Sequence, residues 1–106
     1  MKVILHVPET ARIKNAFSSA RNILKGMGNS HDIAVVFNAD AVSGVLAIPV
    51  PDDILSTEAV SLYLCNNSIV ANQIDSDTIP ESFSIVPAAV IFIIEKQSDG
   101  YIYIRP

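Results

Sequence analysis

Cys65 is the only cysteine in the chain, and it stands in the stretch Ser61-Leu-Tyr-Leu-Cys65-Asn66-Asn67-Ser68, where an apolar run gives way to helix-capping residue types. Asn and Ser side chains accept hydrogen bonds from the free N–H groups of a helix start. A thiol at a strand-to-helix junction feels the positive end of the helix dipole, which favours thiolate over thiol. Thiolate is the nucleophilic form, so Cys65 is the candidate catalytic residue. Asn66, Asn67 and Ser68 read most simply as caps, and their neighbouring N–H groups could cradle a sulfur anion or an oxyanion. A lone cysteine is in general a small buried hydrophobe, and it is the junction that shifts the reading toward reactivity.

The elements that must position this thiol follow from hydrophobic periodicity. Lys2 to Val7 is a short apolar run rich in branched residues, as expected for a strand buried on both faces. Thr10 is a plausible N-cap for a helix over Ala11 to Lys25, in which Ile13, Ala16, Phe17, Ala20, Ile23 and Leu24 recur at three- and four-residue steps. Gly26 and Gly28 are expected to end it. Ile33 to Asn38 repeats the buried-strand signature. Asp40 to Leu46 is weakly helical, Pro49 and Pro51 break the chain, and Asp52 can cap a short helix through Ser56.

A third strand is expected over Val60 to Cys65, a short helix over Asn67 to Gln73, a capped turn over Asp75 to Pro80 and a fourth strand over Phe83 to Val86. The segment from Ala88 to Ile94 suits either strand or helix. The proline before it and Glu95-Lys96-Gln97 after it favour the helix. Such a helix is apolar all round and needs cover on both sides. Asp99-Gly100 turns into a last strand, Tyr101 to Arg105. Alternating strands and helices imply an α/β chain, residues 1–106 as a single domain with a parallel five-stranded sheet between two helix layers.

Half of the residues are hydrophobic and only 17% are charged, so a core can form. Met1 to Val7 is too short for a signal-peptide core or a membrane span, and a cytoplasmic protein with no membrane partner is expected. One cysteine cannot form an internal disulfide, and no Cys/His cluster offers a metal site. A net charge of −4 with no basic patch argues against nucleic acid. Gly26-Met27-Gly28 follows a helix and not a strand, so no dinucleotide fingerprint exists. No cofactor is implied.

In parallel sheets ligands sit beyond the carboxyl ends of the strands. His6 lies at that end of the first strand, Asn38 ends the second, and Cys65-Asn66-Asn67 end the third. They are therefore expected at one rim, with His6 and Asn38 as candidate binding residues beside Cys65. His6 reads either as a general base or thiolate-stabilising donor, or as a core histidine satisfied by a carbonyl.

Several stretches together resemble the small DsrE/DsrF-like proteins, the group that includes YchN-like proteins. They are the opening KVILHV, Arg21-Asn22-Ile23-Leu24, Val35-Val36-Phe37-Asn38 with Ala41-Val42, Cys65-Asn66-Asn67-Ser68-Ile69, Ile85-Val86-Pro87-Ala88, and the tail from Glu95 to Ile104. The resemblance implies a three-layer α/β/α sandwich in a homo-oligomer, often a trimer or hexamer. It also implies a part in intracellular sulfur transfer: the cysteine matching Cys65 takes up sulfur as a persulfide and passes it to a partner protein's cysteine. Two departures stand out. Val70 replaces a frequent basic residue, and the stretch from Ala41 to Val60 is short, with Pro49 and Pro51 in place of a longer helix. The apolar Val90, Phe92, Ile93 and Ile94 fit a subunit interface.

Three functions stay open at this point: a persulfide relay through Cys65, a non-catalytic site for a small anionic or nucleotide-like ligand, and an oligomer whose apolar helix is the functional surface.

Overall fold

The computed structural model describes residues 1–27 and 31–106. Among them, β1 (Lys2–Val7), β2 (Asp32–Phe37), β3 (Val60–Cys65), β4 (Phe83–Val86) and β5 (Ile102–Ile104) form one sheet in the order β4-β3-β2-β1-β5. Every pairing is parallel. The helices are α1 (Ile13–Met27), α2 (Asp40–Leu46), α3 (Asp52–Leu55), α4 (Asn66–Ala71) and α5 (Ala89–Ser98). The ambiguous apolar segment is thus helical.

Alternation along the strands divides the interior in two. Val3, Leu5 and Val7 of β1 pack with Ile13, Ala16, Phe17 and Ala20 of α1, Val42 and Val45 of α2, Ile54 of α3 and Ile69 of α4. The intervening Ile4, with Ala34, Val36, Tyr63 and Cys65, faces the other way, against Ala89, Phe92 and Ile93 of α5. Fully buried side chains such as Phe37, Leu5 and Leu64 contribute roughly 1.5–3 kcal/mol each.

Crossover handedness explains which helix goes where. From β1 to β4 the chain steps across the sheet in one direction, so right-handed connections put α1 to α4 on one face. The return from β4 to β5, beyond β1, reverses direction and carries α5 to the opposite face. The sandwich is therefore lopsided: among the described residues a single ten-residue helix makes the third layer.

Several element ends differ from expectation. A 3-10 turn, Thr10–Arg12, precedes α1, and its N-cap is Glu9 with no side-chain bond. Thr10 is committed elsewhere: its Oγ1 donates to Asp40 Oδ2 at 2.9 Å, and its N–H donates to the same oxygen at 3.2 Å. Gly26 does not stop α1, which runs on to Met27; Gly28 lies outside the described residues. Pro51, not Asp52, is the N-cap of α3. Tyr101 precedes β5 with its side chain buried, because its hydroxyl hydrogen-bonds Asp32. Lys96, near the end of α5, lies over the Tyr101 ring at 4.7 Å from its centroid.

Candidate functional site

In a parallel sheet, a crevice opens where neighbouring strands send their connections to opposite faces. Here that happens between β3 and β4. β3 runs into α4 on the face shared with α1, and β4 runs through Pro87 and Ala88 into α5 on the other. Cys65 is the last residue of β3 and pairs in register with Val86, the last residue of β4.

Cys65 is itself the N-cap of α4, with no side-chain capping bond. Asn66, Asn67 and Ser68, expected as caps, are instead the first residues of the helix. Their backbone N–H groups are consequently the free donors of its first turn. The second helix start adds another: the Ala89 N–H, at the beginning of α5, donates to Cys65 Sγ at 3.3 Å. Two helix N-termini thus converge on one sulfur from opposite faces of the sheet.

Burial pushes the Cys65 thiol up, since only 4% of the residue is exposed. The Ser68 hydroxyl and the N–H groups of Ser68, Ala89 and Asn67 act the other way, the Ala89 N–H through the hydrogen bond it donates to the sulfur. Together they outweigh burial, and the thiol sits below its ordinary value. A groove of about 310 Å³ lined by Val86, Pro87, Ala88, Ile91, Phe92 and Glu95 runs along the β4–α5 connection, which holds the register partner of Cys65 and leads to its amide donor.

His6 and Asn38 reach the same rim but a different pocket. The register His6–Val36–Tyr63 puts His6 two strands across and two residues short of Cys65, roughly 12 Å between Cα atoms. That span rules out a direct hydrogen bond. His6 Nε2 lies 3.0 Å from Asn38 Oδ1, and Nδ1 lies 2.6 Å from the Tyr103 hydroxyl. With Asn38 Oδ1 accepting, Nε2 carries the proton and Tyr103 donates to Nδ1. Desolvation lowers the His6 pKa against the raising effect of Asn38, and Arg105 lowers it further, so the ring is neutral near pH 7. These residues line a cleft of about 300 Å³ on the β5 side of α5, with Val90, Ile93, Ile94, Gln97 and Tyr103.

Among the described residues, no group of three or more His, Cys, Asp or Glu could hold a metal ion, and no helix is long and apolar enough to cross a membrane. A wider, shallower depression of about 600 Å³, lined by Arg21, Asp53 and Ala59 among others, lies toward the amino ends of the strands, away from Cys65.

A family model described as DsrE/DsrF-like matches residues 1–106, the whole chain. The chain belongs to the DsrE/DsrF-like family. That family is linked to sulfur relay, and this member carries one cysteine. Its fold is similar to that of a protein of unknown function from Methanobacterium thermoautotrophicum: TM-score 0.74, 23% identity, covering 99% of this chain and 98% of that one. No curated protein matches it.

Two residues of this DsrE-like site escape a sequence reading. Ala89 has no chemistry in its side chain, and only its backbone N–H matters. Tyr103 meets His6 because β5 pairs with β1, which places Tyr103 opposite Ile4, on the His6 face. Only the alternation in Tyr101-Ile102-Tyr103-Ile104 hinted at its phase.

Proposed function

We propose that this DsrE-like protein is a persulfide carrier with Cys65 as the sulfur-bearing residue. The observation that supports it is the sulfur's position between two helix starts, with the Ala89 N–H donating to it and Ser68 and Asn67 lowering its pKa. In the loading step the Cys65 thiolate attacks the outer sulfur of a donor persulfide, R–S–SH. A new S–S bond forms at Cys65, the donor's S–S bond breaks, and R–S⁻ leaves with the electron pair. Delivery is the reverse exchange: a partner's thiolate attacks the outer sulfur, and the Cys65 thiolate leaves. No outside oxidant or reductant is needed.

The N–H cradle serves both directions, because it stabilises the thiolate as attacking group and as leaving group. The groove along Val86, Pro87 and Ala88 is the approach we assign to donor and acceptor, since Val86 is the register partner of Cys65 and Ala88 precedes its amide donor. Asn66 and Asn67 contribute backbone, not side chains. His6 and Asn38 take no part in the exchange in this reading.

Self-association belongs to the same proposal. Val90, Ile91 and Ile94 on α5 are 64%, 53% and 55% exposed, an apolar ridge suited to a second copy. Phe92 and Ile93, also expected at the interface, are partly taken up against Tyr63 and the sheet.

The test is intact-mass spectrometry after incubation with inorganic polysulfide. The expected result is the gain of one sulfur atom in the native protein, removed by dithiothreitol and absent in Cys65→Ser. An unmodified Cys65 under conditions that load a free thiol peptide would overturn the reading.

A further inference from the structure

The cleft on the β5 side of α5 has a composition that the sulfur chemistry does not use. Its walls are Val90, Ile93 and Ile94, and its polar groups are His6, Asn38, Gln97 and Tyr103. None of the seven carries a charge near pH 7, His6 being held neutral by burial and by Arg105. In a chain with net charge −4 and eighteen charged side chains, 7 basic and 11 acidic, the lining itself is uncharged, and Arg105, which acts on His6 from nearby, is paired with Glu9 at 2.6 Å.

The polar groups are also partly unspent. His6 uses both ring nitrogens, on Asn38 and Tyr103. Asn38 spends one polar atom of its carboxamide on His6, whichever way the amide is turned, and the other has no partner among the described residues. The Gln97 side chain makes no hydrogen bond among the described residues, and the Tyr103 hydroxyl, donating to Nδ1, keeps its acceptor lone pairs. Because His6 is clamped from both sides, the Asn38 amide and the Tyr103 hydroxyl are held in place before any ligand arrives, which lowers the ordering cost of binding.

We propose that this cleft is a second binding site, for an uncharged planar ring bearing a carboxamide or lactam edge. The flat body lies on Ile93 and Ile94, and the amide edge meets Asn38, Gln97 and Tyr103, which offer both donors and acceptors. An anion or a cation would lose its hydration here and gain little in return, since the nearby Arg105 is already paired with Glu9, so the site discriminates by charge as well as by shape. A volume of about 300 Å³ is at the small end of ligand pockets, which limits the occupant to one or two rings.

Benzamide is the probe, titrated into ¹⁵N-labelled protein while the side-chain amide signals of Asn38 and Gln97 are followed. Saturable shifts at both are expected, with a dissociation constant on the order of millimolar for a fragment of about nine heavy atoms. Benzoate, the anionic near-isostere, is expected to bind at least about tenfold more weakly. Ile94→Trp, at an exposed position, should fill the cleft and abolish the shifts. Cys65→Ser should leave benzamide affinity unchanged, so this site stands or falls apart from the persulfide reading. Three results would overturn it: no saturable shift, equal affinity for benzoate, or shifts that survive in Ile94→Trp. The titration is run at one fixed protein concentration, so that shifts from self-association along the α5 ridge stay constant while those from benzamide grow.

Discussion

The hydroxyl of Ser68 accepts the Ala39 N–H at 2.8 Å, and the same hydroxyl contributes most to lowering the Cys65 thiol pKa against burial. Accepting from an amide leaves the hydroxyl hydrogen free to turn to the sulfur and polarises it as a donor. A residue between β2 and α2 thereby acts on a thiol at the end of β3. Ser68→Ala removes this donor, and the thiol pKa should rise. The iodoacetamide rate against pH should shift its midpoint upward, whereas Asn67→Ala should leave it in place, because Asn67 contributes only backbone. An unchanged profile in Ser68→Ala would show that the N–H groups alone set the thiolate.

Ala39 itself carries strain. Its φ of 51° with ψ of −137° is a region open almost only to glycine. Its carbonyl is also held, accepting from Asn72 Nδ2 at 3.1 Å. Ala39→Gly should relieve roughly 1–3 kcal/mol of strain, less roughly 0.4–1 kcal/mol for the freer unfolded chain. Urea unfolding should show a net gain of about 1 kcal/mol at an unchanged m-value.

His6 links stability to pH. Its folded pKa is lowered, first by desolvation, so between the unfolded value near 6.5 and the lower folded value the unfolded state binds more protons. The stability from the neutral ring is complete above about pH 6.5 and is lost as pH falls through the folded pKa. Melting temperature should therefore drop on acidification below about pH 6.5, and His6→Gln should flatten that slope. An equally steep fall in His6→Gln would assign the acid sensitivity to the carboxylates.

Gly44 permits the contact between α2 and the 3-10 turn before α1. A Cβ there would lie 2.5 Å from Thr10 Oγ1 and 2.9 Å from Thr10 Cβ. Gly44→Ala must displace Thr10 and with it the hydrogen bonds to Asp40, at a cost of roughly 1–3 kcal/mol from overpacking. Thermal unfolding checks this, and Gly44→Ala combined with Thr10→Ser should recover part of the loss.

The ridge of α5 predicts concentration-dependent assembly. Ile91→Asp places a charge in its middle and should give a monomer by light scattering at concentrations where the unmodified chain associates. Because Ile91 is exposed in the single chain, circular dichroism should stay the same. Monomeric behaviour of the unmodified chain would remove self-association from the proposal.

Local pattern alone accounts for most of the architecture. Strands with branched apolar runs, the amphipathic repeat from Ile13 to Leu24 and the punctuation by Pro and Gly are short-range signals, and they place β3, β4 and α2 at the ends observed. The position of Cys65 at a strand-to-helix junction was legible for the same reason: both elements adjoin it in the chain. What lay beyond the sequence was everything set by strand order. The Ala89 N–H reaches Cys65 across 24 residues because β4 pairs with β3, and Tyr103 reaches His6 across 97 because β5 pairs with β1. The shared rim of His6, Asn38 and Cys65 was inferable from parallel strands. Its division into two pockets was not, since that depends on the single helix α5 crossing the sheet between them, a consequence of the reversed crossover after β4. Periodicity is a property of neighbours along the chain, whereas pairing is a choice among distant segments that only packing and crossover handedness decide.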